Sequence, residues 1–273
     1  MKTNLLNLIF VLFAFLSIFF ISCEPQTFNP DSSTAQDNAR AEGSIIDVFG
    51  LVSSNADGTS GGGKFLNADT ACYNVEFSID EVTDTRTLII TFDSLGCEIN
   101  GKIFKGKITS IIEGNWFQVG STMTITFTDF TQDGVELKGT MVASFDTIEG
   151  TLPNSVPVHT VTASNMELKF TDGKTITWNS NKQIKWLSGY FTRRNTSDDE
   201  LQINGTLNGV NKAGVSFTSI SADLVKQPAC DLFVSGTVTI TKGTDIVLID
   251  FGNGDCDGTF TVTQNNISTT VTP

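Results

Sequence analysis

The chain has 273 residues, with 30 acidic against 17 basic side chains and a formal net charge of −13 at pH 7. Because an acidic protein repels polynucleotides and anionic membrane surfaces, we do not expect nucleic acid to be a partner. The length is sufficient for one large hydrophobic core or two smaller ones.

The N-terminus has the form of a secretion signal. Lys2 precedes an apolar run from Leu5 to Ile21, and no basic flank follows this run. A membrane-spanning helix is the alternative for an apolar run of this length. The N-terminal position and the missing basic flank favour a cleaved signal, so we assign residues 1–22 to a signal peptide and 23–33 to a flexible tether.

The end of the apolar run, "FISC", resembles the lipobox of bacterial lipoproteins, in which a small residue precedes a cysteine that receives lipid. The resemblance implies that Cys23 carries acyl chains such as palmitate, becomes the first mature residue and anchors the protein in a lipid bilayer. Two or three acyl chains hold firmly, at about 0.8 kcal/mol per buried methylene. This predicts a lipid-anchored protein of the outer membrane in the cell envelope, either periplasmic or surface-exposed.

A short amphipathic helix is predicted over residues 34–53. Ser33 can cap it, and Ala39, Ile46 and Phe49 fall near one helical face. The glycine-rich stretch "NADGTSGGGK" then ends any regular structure before the main body.

From residue 64 onward, the hydrophobic period changes to two. Apolar and polar residues alternate over residues 73–79, 123–127 and 166–170, as in half-buried antiparallel strands. We predict an all-β body that is antiparallel and sandwich-like, carries an internal repeat and is preceded by the short N-terminal helix. Residues 64–150 would form a first β unit and 151–273 a second, with fusion of the two into one domain as the alternative.

The internal repeat surrounds the cysteines. The segments "FDSLGC" and "FGNGDC" align without a gap, and Cys72 and Cys230 lie at nearly equal distances upstream. The centre of each pair falls in a turn-like segment, so each pair would flank the open end of one hairpin, within disulfide range. In an exported chain we therefore pair Cys72 with Cys97 and Cys230 with Cys256; free buried thiols are the alternative.

The second of these segments also resembles the start of a calcium-binding loop, with Asn253, Asp255 and Asp257 at alternate positions. The twelfth position of such a loop needs glutamate but is Gln264, and the pattern has no flanking helices. We therefore favour a disulfide-bonded turn, and predict neither a metal nor a cofactor.

The segments "GKIFKGKI", "GSTMTITFTDF", "GVELKGT" and "DFGNGDCDGT" are similar to a family of uncharacterised lipoproteins of Bacteroidetes-type bacteria. The similarity covers most of residues 34–262. It implies a location and a fold but no activity, because the family has no known activity.

Residue types suited to catalysis are few. The chain has one histidine, His159, no G-x-S-x-G motif and no cysteine left over as a nucleophile. The prolines near His159 predict a solvent-exposed side chain in a loop or at a strand entry. We therefore predict that the protein is not an enzyme. A carboxylate-dependent polysaccharide hydrolase is the alternative, because a pair of carboxylates at glycosidase separation remains open.

Residues 169–194 are unusually basic for this acidic chain and are rich in aromatic residues. Aromatic faces suit sugar rings, and cations suit acidic sugars. The alternative is that the aromatic side chains fill the core and the lysines protect strand edges. The predicted ligand-binding residues are Trp178, Lys185, Trp186, Tyr190, Arg193 and Arg194.

Together these observations predict a non-catalytic, membrane-anchored lipoprotein whose specific function is unknown. The most specific form of this hypothesis is a module that binds a glycan or another surface ligand. The competing hypotheses are the hydrolase and a purely structural protein of the cell envelope.

Overall fold

The computed structural model describes residues 29–56, 72–151, 154–192 and 198–272. The predicted signal peptide, the lipidation residue Cys23, most of the tether, and both Arg193 and Arg194 lie outside these ranges. Within them, no helix is long and apolar enough to cross a membrane.

The described part contains one helix and 13 strands. The elements, in chain order, are α1 (Ser32–Asn55), β1 (Tyr73–Asp80), β2 (Thr85–Ile99), β3 (Lys102–Glu113), β4 (Thr122–Gln132), β5 (Val135–Glu149), β6 (Val156–Lys169), β7 (Thr175–Ser188), β8 (Glu200–Val210), β9 (Ser216–Lys226), β10 (Ser235–Lys242), β11 (Asp245–Asn253), β12 (Phe260–Gln264) and β13 (Ile267–Val271).

The strands form one open antiparallel sheet in chain order, so that each strand pairs with its neighbours in sequence. Tight turns make this possible: Asp133 and Gly134, between β4 and β5, both have positive φ, at 52° and 75°. Two-residue hairpin turns of this kind match the twist of the flanking strands. The predicted all-β antiparallel body with an N-terminal helix is confirmed.

The sheet curls around α1. Residues of α1 form hydrogen bonds with Lys102 on β3 and Lys182 on β7. Asp31, which caps the start of α1, does so with Lys242 on β10 and Gln264 on β12, so these contacts span most of the sheet. The helix is therefore buried on several sides, whereas an amphipathic helix buries one face.

The helix begins earlier than predicted because another residue caps it. The carboxylate of Asp31 accepts a hydrogen bond from the backbone N–H of Thr34, at 3.1 Å. Ser33 does not cap α1 but instead donates its hydroxyl to Asp31, at 2.8 Å. A capping carboxylate satisfies an N–H group that has no partner within the helix.

A buried ion pair fixes α1 against the sheet. The Nζ of Lys182 lies 2.6 Å from Oε1 of Glu42, and both side chains are fully buried. Ser221 on β9 donates its hydroxyl to the same carboxylate oxygen, at 2.9 Å. Ser221 also accepts a hydrogen bond from Nζ of Lys182, at 2.9 Å. Oε2 of Glu42 has no hydrogen-bond partner among the described residues, so the buried carboxylate is satisfied only in part.

The two predicted disulfides are confirmed. Cys72 and Cys97 join the open end of the β1–β2 hairpin, with their Cα atoms 5.1 Å apart. Cys230 and Cys256 do the same for the β10–β11 hairpin, at 5.5 Å. The sequence segment that resembled a calcium-binding loop therefore forms a disulfide-bonded turn.

The prediction that His159 is solvent-exposed is wrong. Its side chain is fully buried on β6 and stacks on Phe145, with ring centroids 4.5 Å apart. Strand β6 begins before the second proline, Pro157, because a proline is tolerated near the start of a strand. Burial lowers the pKa of His159 to about 4, although the charge of Asp146 raises it slightly.

Candidate functional site: the helix groove

One stripe of α1 is not covered by the sheet. Apart from Ser32, the residues of α1 that are not buried are spaced three or four apart and so lie on one face. These residues are Ser33, Gln36, Arg40, Gly43, Asp47 and Gly50. All of them except Ser33 line two adjoining clefts, which together we call the helix groove.

Two glycines on this face of α1 leave the helix backbone uncovered by side chains. A Cβ atom added to Gly43 or Gly50 would meet no other atom within 4 Å. Glycine inside a helix is less stable than alanine by about 1 kcal/mol, so packing within the chain gives no reason for either residue. Their effect is to leave the helix backbone accessible from the groove.

An ion pair divides the groove. The carboxylate of Asp47 accepts hydrogen bonds from Nζ of Lys102 and from Nε2 of Gln132, the latter at 2.7 Å. Asp47 and Lys102 line both clefts, so this pair stands at their boundary.

The cleft towards the N-terminus of α1, which we call the polar cleft, has about 1090 Å³ of space, including the part open to solvent. Arg40 forms an ion pair with Asp133, at 3.5 Å. Asp231 and Asp257 add two further carboxylates to its wall. The surplus of acidic groups favours water or a cationic group over an anion.

The cleft towards the C-terminus, which we call the lysine cleft, has about 650 Å³ of space, including its open part. Its wall is mostly apolar and carries a few polar groups, as in many small-molecule sites. The lining residues are Ile46, Asp47, Gly50, Leu51, Ile99, Asn100, Lys102, Phe104, Trp186, Asp199, Leu201, Lys226 and Pro228.

Lys226 is the unusual residue of the lysine cleft. It is the last residue of β9, only 6 % exposed, and its Nζ donates to the backbone carbonyl of Cys230 rather than to a carboxylate. Burial lowers its pKa to about 8; the charge of Lys102 adds to this effect, whereas Asp47 and Asp231 oppose it. A lysine with these surroundings is suited to hold an anion or to act as a nucleophile.

The aromatic residues predicted to bind ligand lie in the core. Trp178, Trp186 and Tyr190 are 2 %, 4 % and 7 % exposed. Strand β7 alternates, so that its tryptophans point towards α1 while Lys185 points outwards and pairs with Glu149, at 2.8 Å. The four predicted residues that the structure describes are therefore not gathered on one surface.

Of this set, Trp186 lines the lysine cleft. Its indole Nε1 donates to Oδ1 of Asp199, at 3.3 Å. Asp199 is buried, although it lies in a run of three acidic residues, Asp198, Asp199 and Glu200.

Sequence reasoning missed Lys226, although a signal was present. On β9, Leu224 and Lys226 both occupy inward positions, one strand period apart. A lysine in the inward phase of a strand is unusual, because lysine is rarely buried without a partner. Lys182 likewise occupies an inward position in the alternation of β7.

Comparison of the chain with protein-family models, with curated proteins and with solved structures gives no match.

Proposed function

We propose that the protein is a lipid-anchored, non-catalytic binding protein of the cell envelope whose ligand occupies the lysine cleft. The observation that supports this most is Lys226, a buried amine at the wall of a largely apolar cleft, which pairs with no carboxylate among the described residues. The lipobox-like sequence at Cys23 supports the anchor.

The wall of the cleft favours a small amphiphilic ligand with an apolar body and one carboxylate. Phe104, Leu201 and Ile46 offer apolar surface, which favours burial at about 25 cal/mol per Å². The carboxylate would meet Lys226, and a hydrogen bond between charged groups contributes about 1.5–3 kcal/mol.

A glycan ligand is less well supported than such an amphiphile. Sugar binding by stacking needs an exposed aromatic face, whereas Trp178 and Tyr190 pack inside the sheet. The same burial agrees with the alternative interpretation of these residues as core.

The test is a titration of the full-length chain with hexanoate and benzoate, monitored by calorimetry and by intrinsic tryptophan fluorescence, to which Trp186 at the wall of the cleft contributes. We expect saturable binding, and the substitution Lys226→Met should weaken it by about 10- to 100-fold. The matched control is Lys185→Met, because Lys185 lies on the outer face of β7. Absence of binding to the wild-type protein, or an equal loss in both variants, would contradict the proposal.

A hydrolase remains the second candidate because two carboxylates, Asp47 and Asp199, line the same cleft. Paired carboxylates can act as acid and base on a glycosidic bond. Release of reducing ends from a polysaccharide panel, abolished by both Asp47→Asn and Asp199→Asn, would support this candidate over the binding protein.

A further inference from the structure

We propose that Lys226 is an imine-forming amine and that the lysine cleft takes apolar aldehydes and ketones as covalent ligands. This inference concerns the same cleft as the proposed function and rests on ligands entering it. It differs in assigning bond formation, rather than charge pairing alone, to the amine.

The position of Lys226 favours a neutral amine. Its side chain is buried between the apolar wall and the β9–β10 connection, and Nζ donates to the carbonyl of Cys230. A neutral amine that donates one hydrogen in this way keeps its lone pair available for an electrophile. Desolvation in an apolar pocket is a recognised way to activate a lysine nucleophile.

The charged groups around Lys226 come from four parts of the fold. Asp47 on α1 and Asp231 after β9 favour the ammonium form, whereas Lys102 on β3 and burial oppose it; Asp199 before β8 also lines the cleft. The carboxylate of Asp47 already accepts hydrogen bonds from Lys102 and Gln132. The negative charge of Asp47 therefore offsets the positive charge of Lys102 more directly than that of Lys226.

Lys102 is the contrasting amine of the same cleft. Its Nζ is held in an ion pair with Asp47. A lysine engaged in this way has no free lone pair, so the two amines should differ in reactivity although a ligand could reach both.

The reaction is a condensation without any change of oxidation state. The nitrogen of neutral Lys226 attacks the carbonyl carbon, and the carbon–nitrogen double bond replaces the carbon–oxygen double bond. The two hydrogens of the amine leave with the carbonyl oxygen as one water molecule, and the imine nitrogen can then take up a proton. The apolar wall limits access of the water that would reverse the reaction.

The experiment treats the full-length chain with hexanal and sodium cyanoborohydride at about pH 8, close to the pKa of Lys226. Peptide mass mapping then locates the reduced adduct. We expect the adduct on the peptide that contains Lys226, at a level about tenfold or more above any other lysine, because an ordinary lysine has a pKa of about 10.4. Lys226→Arg should lose this adduct, whereas Lys102→Arg should keep it.

The controls separate this inference from the proposed function. If adducts spread over exposed lysines and spare Lys226 while hexanoate still binds, the imine is overturned and the binding site stands. If Lys226 carries no adduct and hexanoate also fails to bind, both the imine and the proposed binding site are overturned. Because the mapping is done on the wild-type protein, the result does not depend on whether a variant folds.

Discussion

The carboxylate of Asp47 and the ammonium of Lys102 form an ion pair at the boundary between the two clefts of the helix groove. Each side chain is 13 % exposed, so the pair is largely shielded from solvent. The pair therefore both links α1 to β3 and separates the lysine cleft from the polar cleft.

Removal of one partner should destabilise the fold. We expect Lys102→Met to lower the free energy of unfolding by about 1–3 kcal/mol, because Gln132 is then the one side chain of the described residues that donates to the charged carboxylate of Asp47. Urea unfolding measures this difference. Lys185→Met is the control, since the more exposed Lys185–Glu149 pair should contribute no more than about 1 kcal/mol.

The ion pair between Lys182 and Glu42 should be strongly coupled. Lys182→Met alone should lower the free energy of unfolding by about 3–5 kcal/mol, because it leaves a charged carboxylate buried. The double variant Lys182→Met, Glu42→Leu should be closer to the wild type than Lys182→Met alone. A double-mutant cycle measured by denaturant unfolding gives the coupling energy between the two residues. Additive effects of the two single substitutions would contradict the prediction.

His159 should make stability depend on pH between about 4 and 6.5. Its pKa is lower in the folded protein, so in this window the unfolded chain binds more protons and stability falls as the pH falls. The loss attributable to His159 should approach a magnitude on the order of 3 kcal/mol near pH 4. Unfolding measured across this range in the wild type and in His159→Phe should show a smaller loss in the variant. Parallel curves would contradict the prediction.

Gly50 should be more important for binding than for stability. Gly50→Leu places a side chain in the lysine cleft, so we expect hexanoate to bind at least about tenfold more weakly, with an equal or higher free energy of unfolding since leucine favours helix over glycine. Titration and urea unfolding measure the two effects. The matched control is Gly43→Leu, which lies in the polar cleft and should leave hexanoate binding unchanged.

Local patterns predicted much of the fold. Alternation with a period of two placed strands where the sheet has them, and the midpoints of the cysteine pairs fell in the turns of two hairpins. Both are properties of neighbouring residues in one hairpin, which is why a sequence can carry them. His159 was misplaced because nearby prolines indicated a loop, whereas packing against Phe49 and Phe145 determined its position.

By itself, the sequence determined the strand pattern, the cysteine pairing and the acidic character of this protein. Only the tertiary structure decided that α1 lies inside the curled sheet and that Asp47, Lys102 and Lys226 line one cleft. The physical reason is that strands distant in sequence come together only when the sheet curls around α1. The surroundings of a buried lysine such as Lys226 are therefore formed by side chains from several separate elements rather than by its neighbours in sequence.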